Sequence, residues 1–331
     1  MDSFKPNKNF IHYLYWIINR QDIFWKRYNN VRPPFSKDPI LVNNKFTNVY
    51  RVLDRTSQFL LQEVIYNGTV YSKEDMFWRI LLFKHFNLPA TWKYLCAQLG
   101  DIKKDTDITD MIDCLTIRHN QGKSIYSNAY MLTASFMRNE IVKKRLGIHD
   151  VDKKHEAYIK LFDHHIRKTN LDHAILEASS FEDAFDLIRT VPTVGDFLAY
   201  QYVQDWNYSN IVHFKDNDFC AAGFGTIRGI ERTFDITGTP DYGGIVKWVY
   251  VYFEDLLHQY GMEDKFKPIP NWYPQVADLS NCFCETDKYL REAGITTDDK
   301  PIKGKRMKNK FTPNNIEKLN YIFPTKWGVS L

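Results

Sequence analysis

The chain has 331 residues, 44 basic against 40 acidic, a net charge of +4, with 44% hydrophobic and 15% aromatic residues. That length suffices for one large domain or two smaller ones, and the apolar share suffices for a substantial core. The charge is too even to establish nucleic-acid binding by itself, so local clusters must carry that argument. The cysteines Cys96, Cys114, Cys220, Cys282 and Cys284 are odd in number and irregular in spacing. They argue against a disulfide framework and fit reduced, cytoplasmic thiols. Cys282 and Cys284 lack a second pair, so no metal site is expected. Residues 1–9 carry no apolar signal core, and no apolar run is long enough to span a membrane.

Helical periodicity dominates the chain. Residues 9–28 carry apolar positions at helical spacing, and Pro33-Pro34 breaks the pattern. Residues 46–65 read as one long helix with Val49, Leu53, Phe59, Leu60 and Val64 on its apolar side. Ser72 reads as the cap of a buried helix that ends at Asn87-Leu88-Pro89. Thr91 reads as the cap of a short helix toward Gly100, and residues 105–114 as another short helix. Residues 126–134 are a loop or a helix entry. Residues 153–169 and 171–178 are further helices. Helix, Pro-Thr-Val-Gly hairpin and helix follow over residues 180–206. Gly-rich turns at Gly223-Phe224-Gly225 and Gly243-Gly244 precede a helix over 247–260, a loop over 268–273 and a helix over 278–291. No internal repeat and no convincing set of strands appears. The expectation is one mostly α domain over residues 1–331, with two helical lobes around a cleft.

The hairpin is the most informative segment. Backbone amides of Thr193, Val194 and Gly195, at the opening of the second helix, suit a DNA phosphate. Gly195 would permit close backbone approach or positive φ. An ordinary helix–turn–helix corner explains the same residues about equally well. Downstream, Asp218 stands beside a glycine turn, with Asp216 as its alternate. A carboxylate there could stabilise an oxocarbenium-like transition state at a sugar, or orient a water. A loop or capping acid is the commoner fate.

Asn48, Arg51 and Arg55 fall near one face of the expected 46–65 helix and could read a base edge or a sugar, with Asp54 orienting an arginine. A surface ion network is the bland alternative. The segment 278–289 interleaves polar and buried types. It closes the site or simply packs with a charged face. The basic run over 300–311 includes Lys303, Lys305, Arg306 and Lys308 and no acid. Phosphate contacts are a natural use, and a solvated loop is the alternative.

Several motifs then stand in one order. These are Asp38-Pro39-Ile40-Leu41, Asn48-Val49-Tyr50-Arg51 with Asp54, and Leu82-Phe83-Lys84-His85-Phe86-Asn87 with Thr91-Trp92. Asn128-Ala129-Tyr130 and Asn281-Cys282-Phe283-Cys284-Glu285 with Asp287-Lys288-Tyr289 follow. They resemble the α-glutamyl/putrescinyl thymine pyrophosphorylase family, and the helical domain of 5-hydroxymethyluracil DNA kinases is similar. The resemblance runs from about Phe24 to Phe311. It implies hypermodified phage DNA bases and a fold like that of helix-hairpin-helix DNA glycosylases.

Residues 191–195 match that superfamily's hairpin, with Thr193 replacing a glycine. The resemblance places the catalytic acid on Asp218. Asp196-Phe197 stands where bifunctional members carry a lysine, and the four-cysteine iron–sulfur loop is absent, so a monofunctional enzyme without cofactor is implied. The phosphate-binding motif G-x-x-x-x-G-K-[ST] is nowhere in the chain.

The leading expectation is therefore a DNA glycosylase, an N-glycosyl hydrolase acting in anti-phage defence. It would flip a hypermodified base out of double-stranded phage DNA and excise it. Glucosylated 5-hydroxymethylcytosine is one such base. Asn48, Arg51, Asn128 and Tyr130 would read it. No membrane and no obligate protein partner enter this reading. The alternative is a base-hypermodification transferase that replaces pyrophosphate on a hydroxymethyl pyrimidine with an amine or amino acid. A DNA-binding module without chemistry is the third reading.

Overall fold

A computed structural model of the protein describes residues 4–128, 132, 134–295, 307, 311 and 320–331. The protein is mostly helical. Among the described residues there is no strand, and pairing is confined to isolated bridges at Pro6–Phe234 and Ile269–Trp272. No described helix is long and apolar enough to cross a membrane. The backbone divides into two compact units. One comprises Met1–Asp54, Asp216–Phe323 and Trp327–Leu331, the other Arg55–Lys215 and Pro324–Lys326.

The first unit is organised on the Val276–Ala293 helix. The Phe10–Tyr28 helix packs on it through Tyr13, whose ring stacks on Phe283 with centroids 4.1 Å apart. The Tyr13 hydroxyl donates to the Leu279 carbonyl at 3.0 Å. Both rings are fully buried, and each such burial is worth roughly 1.5–3 kcal/mol. The Phe224–Thr233 helix comes closer still, because glycines face its neighbour. A Cβ on Gly229 would stand 2.1 Å from the Phe283 carbonyl oxygen. Asp287, with no exposed surface, takes Arg232 Nε at 2.6 Å and Arg228 Nε at 3.3 Å, and Arg291 joins them. A buried carboxylate requires such partners.

In the second unit the Lys73–Phe86 helix is the centre. Ser72 Oγ accepts the Asp75 N–H at 3.0 Å, and Asn87 ends the helix in the left-handed region at φ 48°. Every residue from Met76 to Phe86 is buried, Arg79, Lys84 and His85 included, so the helix runs through a core in which its polar side chains need partners. Phe77 stacks on Trp206 at 4.3 Å, and Lys84 pairs with Asp205 at 3.3 Å with both side chains buried.

Four expectations need correction. The Gly-rich turns open helices instead, with Gly225 inside Phe224–Thr233 and Gly243-Gly244 inside Tyr242–Val251. The long helix over 46–65 does not form. Asp54 turns back to accept the Asn48 N–H at 2.8 Å, and Asn48 Nδ2 donates to the Leu53 carbonyl at 2.7 Å. Such local side-chain bonds compete with helix formation. A 3-10 turn, Arg51–Leu53, remains there, and Arg55–Phe59 continues into a π-helical turn, Leu60–Ile65. Thr91 is not a cap, because Pro89 already opens that helix and the Thr91 hydroxyl donates to the Ile125 carbonyl at 2.8 Å. The expected 247–260 helix is two, Tyr242–Val251 and Phe253–Gln259, with Tyr252 between them.

Candidate functional site: a buried acid–arginine cluster

Three segments of the first unit converge: the Phe10–Tyr28 helix, residues 44–54, and the Val276–Ala293 helix. The Arg51 N–H donates to Asp278 Oδ1 at 2.7 Å, and the Gln275 N–H donates to Oδ2 at 2.9 Å. Asp278 therefore caps its own helix and clamps the Arg51 turn. Burial pushes its pKa up to about 7. The two N–H bonds and the Arg51 charge hold it down in part, and the Asp216 charge pushes the same way as burial.

Asp54 is raised to about 6, again by burial, against the Asn48 N–H and the Arg20 charge. Arg20 is buried and fixed on two sides. Its Nε donates to the Thr47 carbonyl at 2.7 Å and its Nη2 to Asn48 Oδ1 at 2.8 Å. Glu285, also buried, accepts the Thr47 N–H at 3.3 Å and pairs with Lys288. The cluster thus holds two carboxyl groups that change charge near neutral pH, beside two buried guanidinium side chains. That combination can accept a proton at one point and hold an anion at another.

Asn217 joins the next segment to this cluster. Its Oδ1 accepts the Val276 N–H at 2.9 Å, and its Nδ2 donates to Gln275 Oε1 at 2.7 Å and Tyr250 Oη at 3.0 Å. Asp216 is thereby brought to where its charge acts on Asp278. Asp218 is exposed, and its carbonyl oxygen lies 3.4 Å from Lys247 Nζ.

The structure brings Asn48, Arg51, Asp54 and Asp216 into one region of the first unit, whereas other expected residues belong to the second. Arg55 is exposed at the start of a helix in the second unit, so the expected shared face of Asn48, Arg51 and Arg55 does not form. The hairpin also lies in the second unit, between Phe181–Arg189 and Asp196–Trp206. Its left-handed residue is Thr193, at φ 74°. Gly195 has φ −90°, and a Cβ there would meet nothing within 4 Å. The backbone freedom expected of Gly195 is therefore unused. Val194 is buried, and Arg189 Nε bonds Asp196 Oδ1 at 2.7 Å across the turn. Asn128 is exposed. Tyr130, Lys303, Lys305, Arg306 and Lys308 lie outside the described residues.

Arg20 was not among the expected site residues, and Asp278 and Glu285 entered only as part of the segment 278–289. Arg20 carried a signal, being a charge in the row Tyr13, Trp16, Arg20 on the buried face of its helix. Asp278 carried an ambiguous one, since its spacing from Gln275 is that of a capping pair.

Residues 7–297 match the family model described as the 5-hmdU DNA kinase, helical domain. A curated relative, the 5-hmdU DNA kinase of Bacillus phage SP10, is 23% identical over 308 residues, covering 89% of this chain and 47% of the relative. The chain therefore spans about half the length of that relative. No solved structure matches significantly. These matches overturn the expected DNA glycosylase activity and its defensive role, because the family is named for phosphotransfer to DNA and not for glycosidic hydrolysis. They bear out the resemblance to 5-hydroxymethyluracil DNA kinase helical domains drawn from the motifs. Over most of its length, this chain belongs to the family of 5-hmdU DNA kinase helical domains.

Proposed function

We propose that the chain is a transferase of DNA base hypermodification, which replaces pyrophosphate on a hydroxymethyl pyrimidine in DNA with an amine or amino acid. Membership of a family named for 5-hmdU in DNA carries this reading. In the transfer, the bond between the exocyclic methylene carbon and the pyrophosphate oxygen breaks. A carbon–nitrogen bond forms, pyrophosphate leaves, and the amine gives up a proton. Asp278 is the proposed base, since a carboxyl group with pKa near 7 is matched to that task at neutral pH. Asp54 supports it, and the Arg51 charge favours the ionised form of Asp278 that takes the proton.

The helix-hairpin-helix glycosylase-like fold enters here as the framework for a flipped base. Thr193, Val194 and Gly195 would then lie along a phosphate. Asn48 is the proposed reader of the base, and Lys303, Lys305, Arg306 and Lys308 are the proposed phosphate contacts. The test supplies pyrophosphorylated hydroxymethyl-pyrimidine DNA and a panel of amines. Release of pyrophosphate with an intact, heavier nucleoside supports the reading. Phosphate incorporation from ATP into 5-hmdU DNA by this chain alone refutes it.

A further inference from the structure

The face of the Phe10–Tyr28 helix that meets residues 46–48 holds buried donors with nothing to donate to. Trp16 has no exposed surface, and its Nε1 has no partner among the described residues. Arg20, four residues on and so on the same face, is 6% exposed, and its Nη1 is likewise unpartnered although Nε and Nη2 are fixed. Trp16 packs edge-on against Phe46, with centroids 5.9 Å apart. The next residue, Thr47, gives its carbonyl to Arg20 while its own buried hydroxyl has no partner. Buried polar atoms are normally paired, and an orphaned one costs about 1–3 kcal/mol. Three on one patch therefore mark a place for a common acceptor. All three can donate and one is cationic, so the acceptor is an anion. Asp54 and Glu285 lie close enough for their charges to act on Arg20, so the surroundings are not simply basic.

We propose that Trp16, Arg20 and Thr47 form a subsite for one small oxyanion, received by Trp16 Nε1, Arg20 Nη1 and the Thr47 hydroxyl. The anion itself follows from these contacts. Its part in catalysis rests on the transfer reading, which offers two sources: the leaving pyrophosphate, or the carboxylate of an incoming amino acid.

Calorimetric titration of the full chain, without DNA, with inorganic pyrophosphate and separately with glycine tests the subsite. Saturable binding of one probe, weakened about tenfold or more by Thr47→Val, is expected. Trp16→Phe keeps a ring in place and should weaken binding similarly. Thermal midpoints report whether each variant folds, and Thr47→Val decides if Trp16→Phe does not. The probe that binds identifies the source. No binding of either probe at millimolar concentration overturns the subsite, as does binding that Thr47→Val leaves unchanged. A protein that binds the anion but transfers nothing keeps the subsite and loses the transfer reading. One that transfers with Thr47→Val binding intact loses the subsite alone.

Discussion

The Arg51 amide donates to Asp278 Oδ1 at 2.7 Å, which ties a 3-10 turn to the opening of a helix 227 residues later. A carboxyl group placed this way serves the fold and remains titratable near neutral pH, so its consequences can be read in both stability and activity.

The stability consequence has a definite sign. Asp278 ionises at about 7 in the folded state, against 3.8 as the ordinary value, and Asp54 at about 6. Between these limits the folded protein binds more protons than the unfolded chain. Stability from these groups is therefore greatest below about pH 4, falls as pH rises toward 7, and then levels. For Asp278 the full span is at most roughly 4 kcal/mol. Thermal midpoints recorded from pH 4.5 to 7.5 should show a shallower decline in Asp278→Asn than in the wild type. Parallel curves would contradict the cause assigned to the shift.

The activity consequence runs the other way. A base must be deprotonated, so transfer in the wild type should rise through about pH 7 and plateau above it. Asp278→Asn should lower the rate by about 10²–10⁴ and remove that rise. An unchanged profile in the variant would move the base to another residue.

Close helix packing gives a third expectation. A Cβ on Gly229 meets the Phe283 carbonyl, which is backbone and cannot rotate away, whereas one on Gly225 meets the Cys284 side chain. Gly229→Ala should cost about 1–3 kcal/mol or more, and Gly225→Ala less. Urea midpoints of the two variants check the order.

The hairpin gives a fourth. Thr193 is β-branched and holds φ 74°, a conformation costing L-residues about 1–2 kcal/mol. Thr193→Gly should relieve this and lose roughly 0.5–1 kcal/mol to chain entropy, leaving a small net gain. A lower melting temperature would show that the threonine side chain has a compensating role.

Helices with a full cap or a long apolar run were legible in the sequence. Ser72 and the apolar run that follows it define Lys73–Phe86 to within a residue. The 46–65 stretch misled because its apolar spacing is helical while Asn48 and Asp54 satisfy the backbone by another route. Asn48, Arg51 and Asp54 were readable as a polar group, but their arrangement was not, since it depends on Asp278 and Glu285 from far along the chain. Arg20 was hidden for a related reason. A charge on a buried helix face reads as an irregularity until its partners, the Thr47 carbonyl and Asn48 Oδ1, are in place.

The transfer reading is tested most directly by mass spectrometry of nucleosides from pyrophosphorylated hydroxymethyl-pyrimidine DNA after incubation with this chain and an amine. The account predicts pyrophosphate released in step with a nucleoside that carries the amine on its methylene and keeps its glycosidic bond. An unaltered nucleoside under every amine supplied, or a phosphate gained from ATP instead, would contradict it.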